Sequence, residues 1–287
     1  MRVAVVGVGR WGENHVRILS RLGRLHGVYD ADSVRASQIA QKYGTFVYSS
    51  TDEIKPGSVD AVVVATPATT HYEVAKQFIE KGINLLIEKP PTTELESVKK
   101  LYELSKGKVK VGFGFIERFN PAFASFEDCY KGSFSISFYR LATGSNVRDV
   151  GVVLDLMIHD INLANHLFGN PKILLKRVVR ENERDVTAEA VIDYTGSRAY
   201  LVSTWKSPSK FRKIFAFSDT AFTEADLAEK KGTCSERGRE PRLVDGKNTD
   251  LLEAEHIQFE RFINNGEPFP DISEAVKDME VAEEILT

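Results

Sequence analysis

The stretch Val3-Ala4-Val5-Val6-Gly7-Val8-Gly9-Arg10-Trp11-Gly12 decides the fold. An apolar run of strand character enters a Gly-x-Gly-x-x-Gly turn, and the turn opens a helix. Trp11, His15, Ile18, Leu19 and Leu22 recur at helical spacing over residues 11–22. In that setting each glycine has a task. Gly7 permits the tight turn, Gly9 lets the backbone approach a pyrophosphate, and Gly12 lets the helix pack closely on the strand. The free N–H groups of the first helical turn then favour the phosphates. Asp30 lies 18 residues beyond Gly12, close to the roughly 20-residue offset at which an acidic side chain meets the ribose hydroxyls. A carboxylate there accepts from a 2′-hydroxyl and repels a 2′-phosphate. The expected cofactor is therefore NAD, with NADP less favoured and Arg35 near enough in sequence to leave dual use open.

The alternation continues downstream. Residues 24–30, 45–48, 61–65, 84–88 and 109–115 read as strands. Between them lie helical segments over residues 33–43, with Asp32 as N-cap, and 71–81, and a third opened by Thr93 and Glu96 as a capping box. Such alternation implies βαβ units and a doubly wound parallel sheet. An apolar helix over residues 154–168 follows, then alternating runs at 172–180, 186–194, 198–205 and 213–217, the mark of a mostly antiparallel sheet. Residues 223–250 are charged and read as loop-rich, and helices are expected over residues 251–264 and 273–286. The expected fold class is α/β plus α+β. A Rossmann domain with a doubly wound parallel sheet binds NAD over residues 1–118. An open, mostly antiparallel sheet domain serves substrate binding and oligomerisation over residues 119–287.

Composition narrows the function. Apolar residues make up 42% and charged residues 28%, the balance of a globular chain. A net charge of -3 offers no basic excess for nucleic acid or an anionic membrane surface. No apolar run reaches the roughly 20 residues of a membrane helix. Nor is there a leader of charged, apolar and cleavable segments in series, so a cytoplasmic protein is expected. Cys129 and Cys234 lie far apart without metal-type spacing and read as free thiols of a reducing compartment. No metal is expected. Alternating apolar residues at Phe134, Ile136 and Phe138 and at Ala199, Leu201 and Trp205 imply a sheet face that needs a cover, hence a homodimer or homotetramer.

Two places carry candidate chemistry. Thr66-Pro67 ends the fourth strand with His71 opening the next helix, and Glu88-Lys89-Pro90 ends the fifth. Both stand at the carboxyl edge, where ligands bind in such sheets. Lys89, on a turn that Pro91 keeps out of helix, is a candidate catalytic group. The competing reading is an ordinary surface charge. Asp155 and His159, four apart, share a helix face amid Val152, Val153, Leu154, Leu156, Met157 and Ile158. Polar groups on so apolar a helix are costly unless paired or used, and an imidazole exchanges protons near neutrality. Three readings stand: a proton relay with Lys89, half a metal site lacking further Cys or His ligands, and a core histidine paired with a carboxylate. Lys89 and the dinucleotide fold favour the relay.

Gly7-Val8-Gly9-Arg10-Trp11-Gly12, Thr66-Pro67 with His71, Glu88-Lys89-Pro90 and Asp155 with His159 together resemble the glucose–fructose oxidoreductase / inositol dehydrogenase / MocA family over nearly the whole chain. The resemblance implies sugars or polyols as substrates and Lys89, Asp155 and His159 as the catalytic set. It also places Arg10, Trp11, Thr66, Pro67, His71, Glu88 and Lys89 at the cofactor, beside Gly7, Gly9, Gly12 and Asp30. Ile116-Glu117-Arg118-Phe119-Asn120-Pro121, with residues 150–155 and 158–161, is most similar to the UDP-N-acetylglucosamine (or uronic acid) 3-dehydrogenase branch. That implies NAD-dependent oxidation at C3 of a UDP-N-acetylhexosamine or its uronic acid. Arg118, Asn120 and Arg148 are then substrate contacts beside His159, the arginines because their fork suits a diphosphate. Sequence leaves open whether Lys89 or His159 is the base. The alternatives are a free-sugar or inositol-type polyol dehydrogenase and a non-catalytic NAD-binding regulator. One departure from the family is expected: the chain reads as short after Pro208, lacking pieces that other members use in assembly.

Overall fold

β1 (Val3–Val6) and β4 (Ala61–Val64) are side by side, buried on both faces, at the middle of a six-stranded sheet. The computed structural model describes residues 1–124, 135–246 and 248–287. It divides into two units, Met1–Gly114 with Leu252–Val276, and Phe115–Leu251 with Lys277–Thr287. The first unit adds α1 (Arg10–Arg21), β2 (Leu25–Tyr29), α2 (Ser33–Tyr43), β3 (Phe46–Val47), α3 (His71–Glu80), β5 (Asn84–Glu88), α4 (Leu95–Ser105) and β6 (Val111–Gly114). The strand order is β3-β2-β1-β4-β5-β6 and every pair is parallel. This is the expected doubly wound arrangement, whose order reverses at β1 and β4 and opens a crevice beyond their carboxyl ends. Asp32 caps α2, accepting from Val34 N at 3.1 Å and Arg35 N at 3.0 Å. The expected capping box at α4 is absent. Glu94 holds the N-cap position, and Thr92 Oγ1 donates to the Glu94 carbonyl at 2.6 Å instead.

The sequence implied one boundary, between residues 118 and 119. In the structure the change falls at Gly114/Phe115, and the chain later returns to the first unit. The returning segment includes most of α6 (Leu251–Asn265) and the start of α7 (Ile272–Leu286). Contacts with β6 explain the return. Phe113 N donates to the Pro270 carbonyl at 2.8 Å. The Phe269 ring fills the space beside Gly112, where a Cβ would come within 2.6 Å of it. Lys110 Nζ donates to the carbonyls of Phe262 at 2.6 Å and Ile263 at 2.9 Å. Periodicity finds a helix but not the sheet it packs on.

The second unit holds β7 (Ser135–Thr143), α5 (Ile158–Phe168), β8 (Lys172–Glu181), β9 (Arg184–Tyr194), β10 (Ser197–Thr204), β11 (Lys206–Phe217), β12 (Ala221–Asp226), β13 (Lys231–Glu236) and β14 (Arg242–Asp245). Their order is β14-β13-β12-β11-β7-β10-β9-β8, with β7 and β10 parallel and the remaining pairs antiparallel. The stretch expected to be loop-rich instead contains β12 to β14. Thr223, Ala225 and Cys234 point inward there, while charged neighbours occupy the other face, and that outward charge mimics a loop in sequence. The apolar set named for assembly is also corrected. Ile136, Phe138, Ala199, Leu201 and Trp205 are buried within the unit, and Phe134 lies outside the described residues. The large apolar groups left exposed on these strands are Leu174, Leu175, Tyr200, Phe217, Phe222 and Leu243. Cys234 is disulfide-bonded rather than the expected free thiol, and Cys129 lies outside the described residues. Among the described residues no helix is long and apolar enough to cross a membrane.

Candidate functional site

A cavity of about 710 Å³ in the first unit is lined by Gly7, Gly9, Arg10, Trp11, Asp30, Thr66 and Pro67, among others. Gly7 has φ +85°, and a Cβ there would come 2.7 Å from Thr66 N. A Cβ on Gly12 would overlap the Gly7 carbonyl oxygen, so α1 seats on the turn only because residue 12 has no side chain. Gly9 differs: a Cβ there would meet nothing within 4 Å. Its open side, with no side chain capping the N-terminus of α1, is the donor cradle that a dinucleotide pyrophosphate fits. Asp30 Oδ2 accepts from Val8 N at 2.8 Å and Oδ1 from Asp32 N at 2.9 Å. Arg35, half-exposed at the cavity, pairs with Asp30 at 3.3 Å and Asp32 at 3.1 Å.

His71 does not line this cavity. It is buried, with Nε2 2.9 Å from the Thr66 carbonyl and Nδ1 2.9 Å from the Pro90 carbonyl, and burial holds its pKa below the ordinary value. It joins the turns that end β4 and β5, the second of which contains a cis Lys89–Pro90 peptide. Glu88 also turns inward. Its Oε1 accepts from Trp11 Nε1 and lies 2.8 Å from His15 Nε2, while Oε2 accepts from Lys89 N at 3.1 Å. Burial pushes the Glu88 carboxyl up, but the hydrogen bonds from His15 and Trp11 and the His15 and Lys89 charges outweigh it and hold the pKa low. Lys89 itself is half-buried at the end of β5.

In the second unit the expected regular helix begins as a π-helical turn, Val153–Met157, before α5. Such wide turns recur at functional sites. Asp155 lies in the π turn and His159 at the second residue of α5, each less than a tenth exposed. Asp185 Oδ2 accepts from Val153 N at 2.7 Å and anchors the start of the turn. Trp205 Nε1 donates to Asp155 Oδ2 at 3.1 Å, with the Arg184 guanidinium 5.0 Å over the Trp205 ring. The His159 ring meets Phe115 edge-on at 6.3 Å.

A buried ion network supports this helix. Arg140 on β7 gives Nη2 to Asp160 Oδ1 at 2.7 Å and Nη1 to Glu117 Oε1 at 2.8 Å. The segment Ile116–Phe119 is thereby tied to the residue that follows His159. Burial opposes the Arg140 charge, yet Asp160 and Glu117 hold its pKa above the ordinary value. Arg212 Nη1 approaches the same Glu117 oxygen at 3.5 Å. Asn120, expected at the substrate, is recast as structural. It is fully buried, and its amide donates to Glu117 Oε2 and the Leu227 carbonyl, both at 2.9 Å, and accepts from Ala122 N at 3.1 Å. Arg118 is half-buried beside it, and Arg148 is exposed in the chain before the π turn. The sequence reading missed Arg140 and Trp205 as supports. One signal was available: Ile136, Phe138 and Arg140 share the inward face of β7, and a charge in that register requires buried partners.

Residues 1–115 match GFO_IDH_MocA, an oxidoreductase family with an NAD-binding Rossmann fold. A UDP-N-acetylglucosamine 3-dehydrogenase from Acidithiobacillus ferrooxidans is 32% identical over 181 residues, 62% of this chain and 58% of that protein. An inositol 2-dehydrogenase from Arthrobacter sp. is 34% identical over 134 residues, 44% of this chain and 39% of that protein. The chain thus spans less than two thirds of the length of these curated relatives. A solved structure of the A. ferrooxidans enzyme GnnA superposes with TM-score 0.92 at 27% identity, covering 100% of this chain and 96% of that one. That coverage corrects the expectation of missing pieces after Pro208. KijD10, a 3-ketoreductase from Actinomadura kijaniata, shares the fold with TM-score 0.87 at 17% identity, covering 100% of this chain and 97% of that one.

Proposed function

We propose that the chain is an NAD-dependent dehydrogenase oxidising C3 of a UDP-N-acetylhexosamine or its uronic acid. The observation that carries the reading is the likeness to GnnA over the full chain, at 27% identity. Bound NAD supplies the hydride acceptor. The carbinol C–H leaves as hydride, the hydroxyl proton passes to His159 and a ketone forms. Asp155 orients His159 and stabilises the imidazolium, while Lys89 donates a hydrogen bond to the oxygen as it becomes carbonyl. Exchanging the roles of Lys89 and His159 balances equally well. Arg118 and Arg148 are the proposed diphosphate contacts. Asp30 favours NAD over NADP, since its carboxylate would face the extra phosphate. The exposed Leu175, Phe217 and Phe222 support a homodimer or homotetramer, and the cytoplasm, where NAD and nucleotide sugars are held, is the proposed location.

A free-polyol dehydrogenase is the second reading, favoured by the match to inositol 2-dehydrogenase. NADH absorbance over a panel of UDP-sugars, free sugars and inositols separates the two. Turnover of UDP-N-acetylglucosamine or its uronic acid supports the first reading. Turnover of inositol alone supports the second, and no turnover with any substrate at millimolar concentration leaves the regulator.

A further inference from the structure

Three elements of the first unit, distant in sequence, bring four ionisable side chains into one buried cluster. His15 comes from α1, Glu88 from the end of β5, and Glu255 and His256 from α6. His15, Glu255 and His256 are 0% exposed and Glu88 6%. His15 Nδ1 lies 2.9 Å from His256 Nε2, and its Nε2 lies 2.8 Å from Glu88 Oε1. Gly114 leaves room for this carboxylate, since a Cβ there would come 2.8 Å from Glu88 Oε1. Glu255 is the anomaly: both its oxygens are buried and neither has a hydrogen-bond partner. One donor atom each from His15, Glu88 and Glu255 lie within 4.8 Å of one another.

A buried carboxylate that accepts nothing is strongly unfavourable, and a second carboxylate facing it makes matters worse. Neighbouring cations do not resolve this. Arg24, whose charge reaches His256, pairs with Glu260 through Nη2, and its buried Nη1 donates to nothing, so Glu255 accepts no hydrogen bond from it. A proton on His15 Nε2 satisfies Glu88 but leaves Glu255 with nothing. A divalent cation answers both needs, balancing two carboxylates and giving Glu255 its missing partner. We propose that His15, Glu88 and Glu255 form a binding site for a divalent first-row transition ion of the zinc class, with His256 fixing the His15 ring from behind. One imidazole and two carboxylates are a donor set that zinc accepts, whereas calcium would demand six or more oxygens. A ligating histidine ordinarily donates its other ring N–H to an outer partner, and the His15–His256 contact supplies that bond. The ion is structural: it pins α6 to α1 and to the end of β5.

The test uses the full chain, stripped by chelator and titrated with Zn²⁺ by calorimetry and with Co²⁺ by visible absorption. About one ion per chain is expected, with a Co²⁺ spectrum of low coordination number. Glu255→Gln keeps the shape and loses the charge. It should weaken Zn²⁺ binding by at least about tenfold and leave NAD affinity unchanged, which shows that the unit is folded. Added Zn²⁺ should raise the melting temperature of the wild-type protein, as mass action requires. No stoichiometric binding of either ion by the wild type overturns the proposal and leaves Glu255 a neutral buried acid. Equal Zn²⁺ binding by wild type and Glu255→Gln overturns it as well.

Discussion

Asp30 Oδ2 accepts a hydrogen bond from the backbone N–H of Val8 at 2.8 Å, joining the end of β2 to the glycine turn between β1 and α1. The residue proposed to read the ribose thus also holds the phosphate turn in place. Asp30→Ala should weaken NAD by about 10- to 150-fold, the scale of a lost charge-assisted bond, and narrow the gap to NADP. Calorimetry of both cofactors checks this. A wild-type protein that prefers NADP would show that Arg35 rather than Asp30 governs the choice.

Gly9 and Gly12 should fail in different ways when replaced by alanine. At Gly12 the methyl would overlap the Gly7 carbonyl, so destabilisation of at least about 1–3 kcal/mol is expected in denaturant titration. At Gly9 the methyl meets only open space, so stability should hold while NAD affinity falls. Unchanged NAD affinity in folded Gly9→Ala would contradict the placement of the pyrophosphate.

The first unit was legible because its signals are local. Gly7, Gly9, Gly12 and Asp30 sit at fixed offsets along one βαβ segment, and buried parallel strands are unbroken apolar runs such as Ala61–Val64. What was not legible depends on partners remote in sequence. Phe269 and Pro270 return to β6, 156 residues after its end in the case of Pro270. The π turn at Val153–Met157 is held by Asp185, which no helical period reveals. Asn120 read as a ligand contact because its polarity was visible and its three buried partners were not.

Arg140 should be the costliest single charge to remove in the second unit. Arg140→Met leaves Asp160 buried without its ion-pair partner and Glu117 with only Arg212 at 3.5 Å, and a loss of about 3–5 kcal/mol is expected. The pH dependence should change with it. Burial raises the Glu117 carboxyl, but Arg140 outweighs this and holds the folded pKa below the ordinary 4.5. Its stabilising share is therefore present above that value and lost as pH falls through the lower, folded one. Burial already raises the Asp160 carboxyl despite Arg140; in Arg140→Met the Glu117 carboxyl should join it in favouring the protonated form, so stability should rise on mild acidification. Urea midpoints at neutral and mildly acidic pH decide, and parallel slopes in the two proteins would exclude the network as their source.

Lys89→Ala and His159→Ala should each lower turnover by about 10²–10⁴-fold, the range for a lost acid–base group. Trp205→Phe removes the N–H that Asp155 accepts. It should produce a smaller loss and a shifted pH–rate profile rather than abolish activity. Near-normal turnover in both Lys89→Ala and His159→Ala would remove these residues from the chemistry.

The most direct measurement follows the transferred hydrogen. UDP-N-acetylglucosamine, and separately its uronic acid, carrying deuterium at C3 is incubated with the protein and NAD, and the reduced cofactor is examined by mass spectrometry. Deuterium is expected in the reduced nicotinamide, with a sugar ketone at C3 as the other product. Reduced cofactor without deuterium from either sugar would mean that another carbon is oxidised. No reduction with either, while inositol or a free sugar reduces NAD, would contradict the nucleotide-sugar reading.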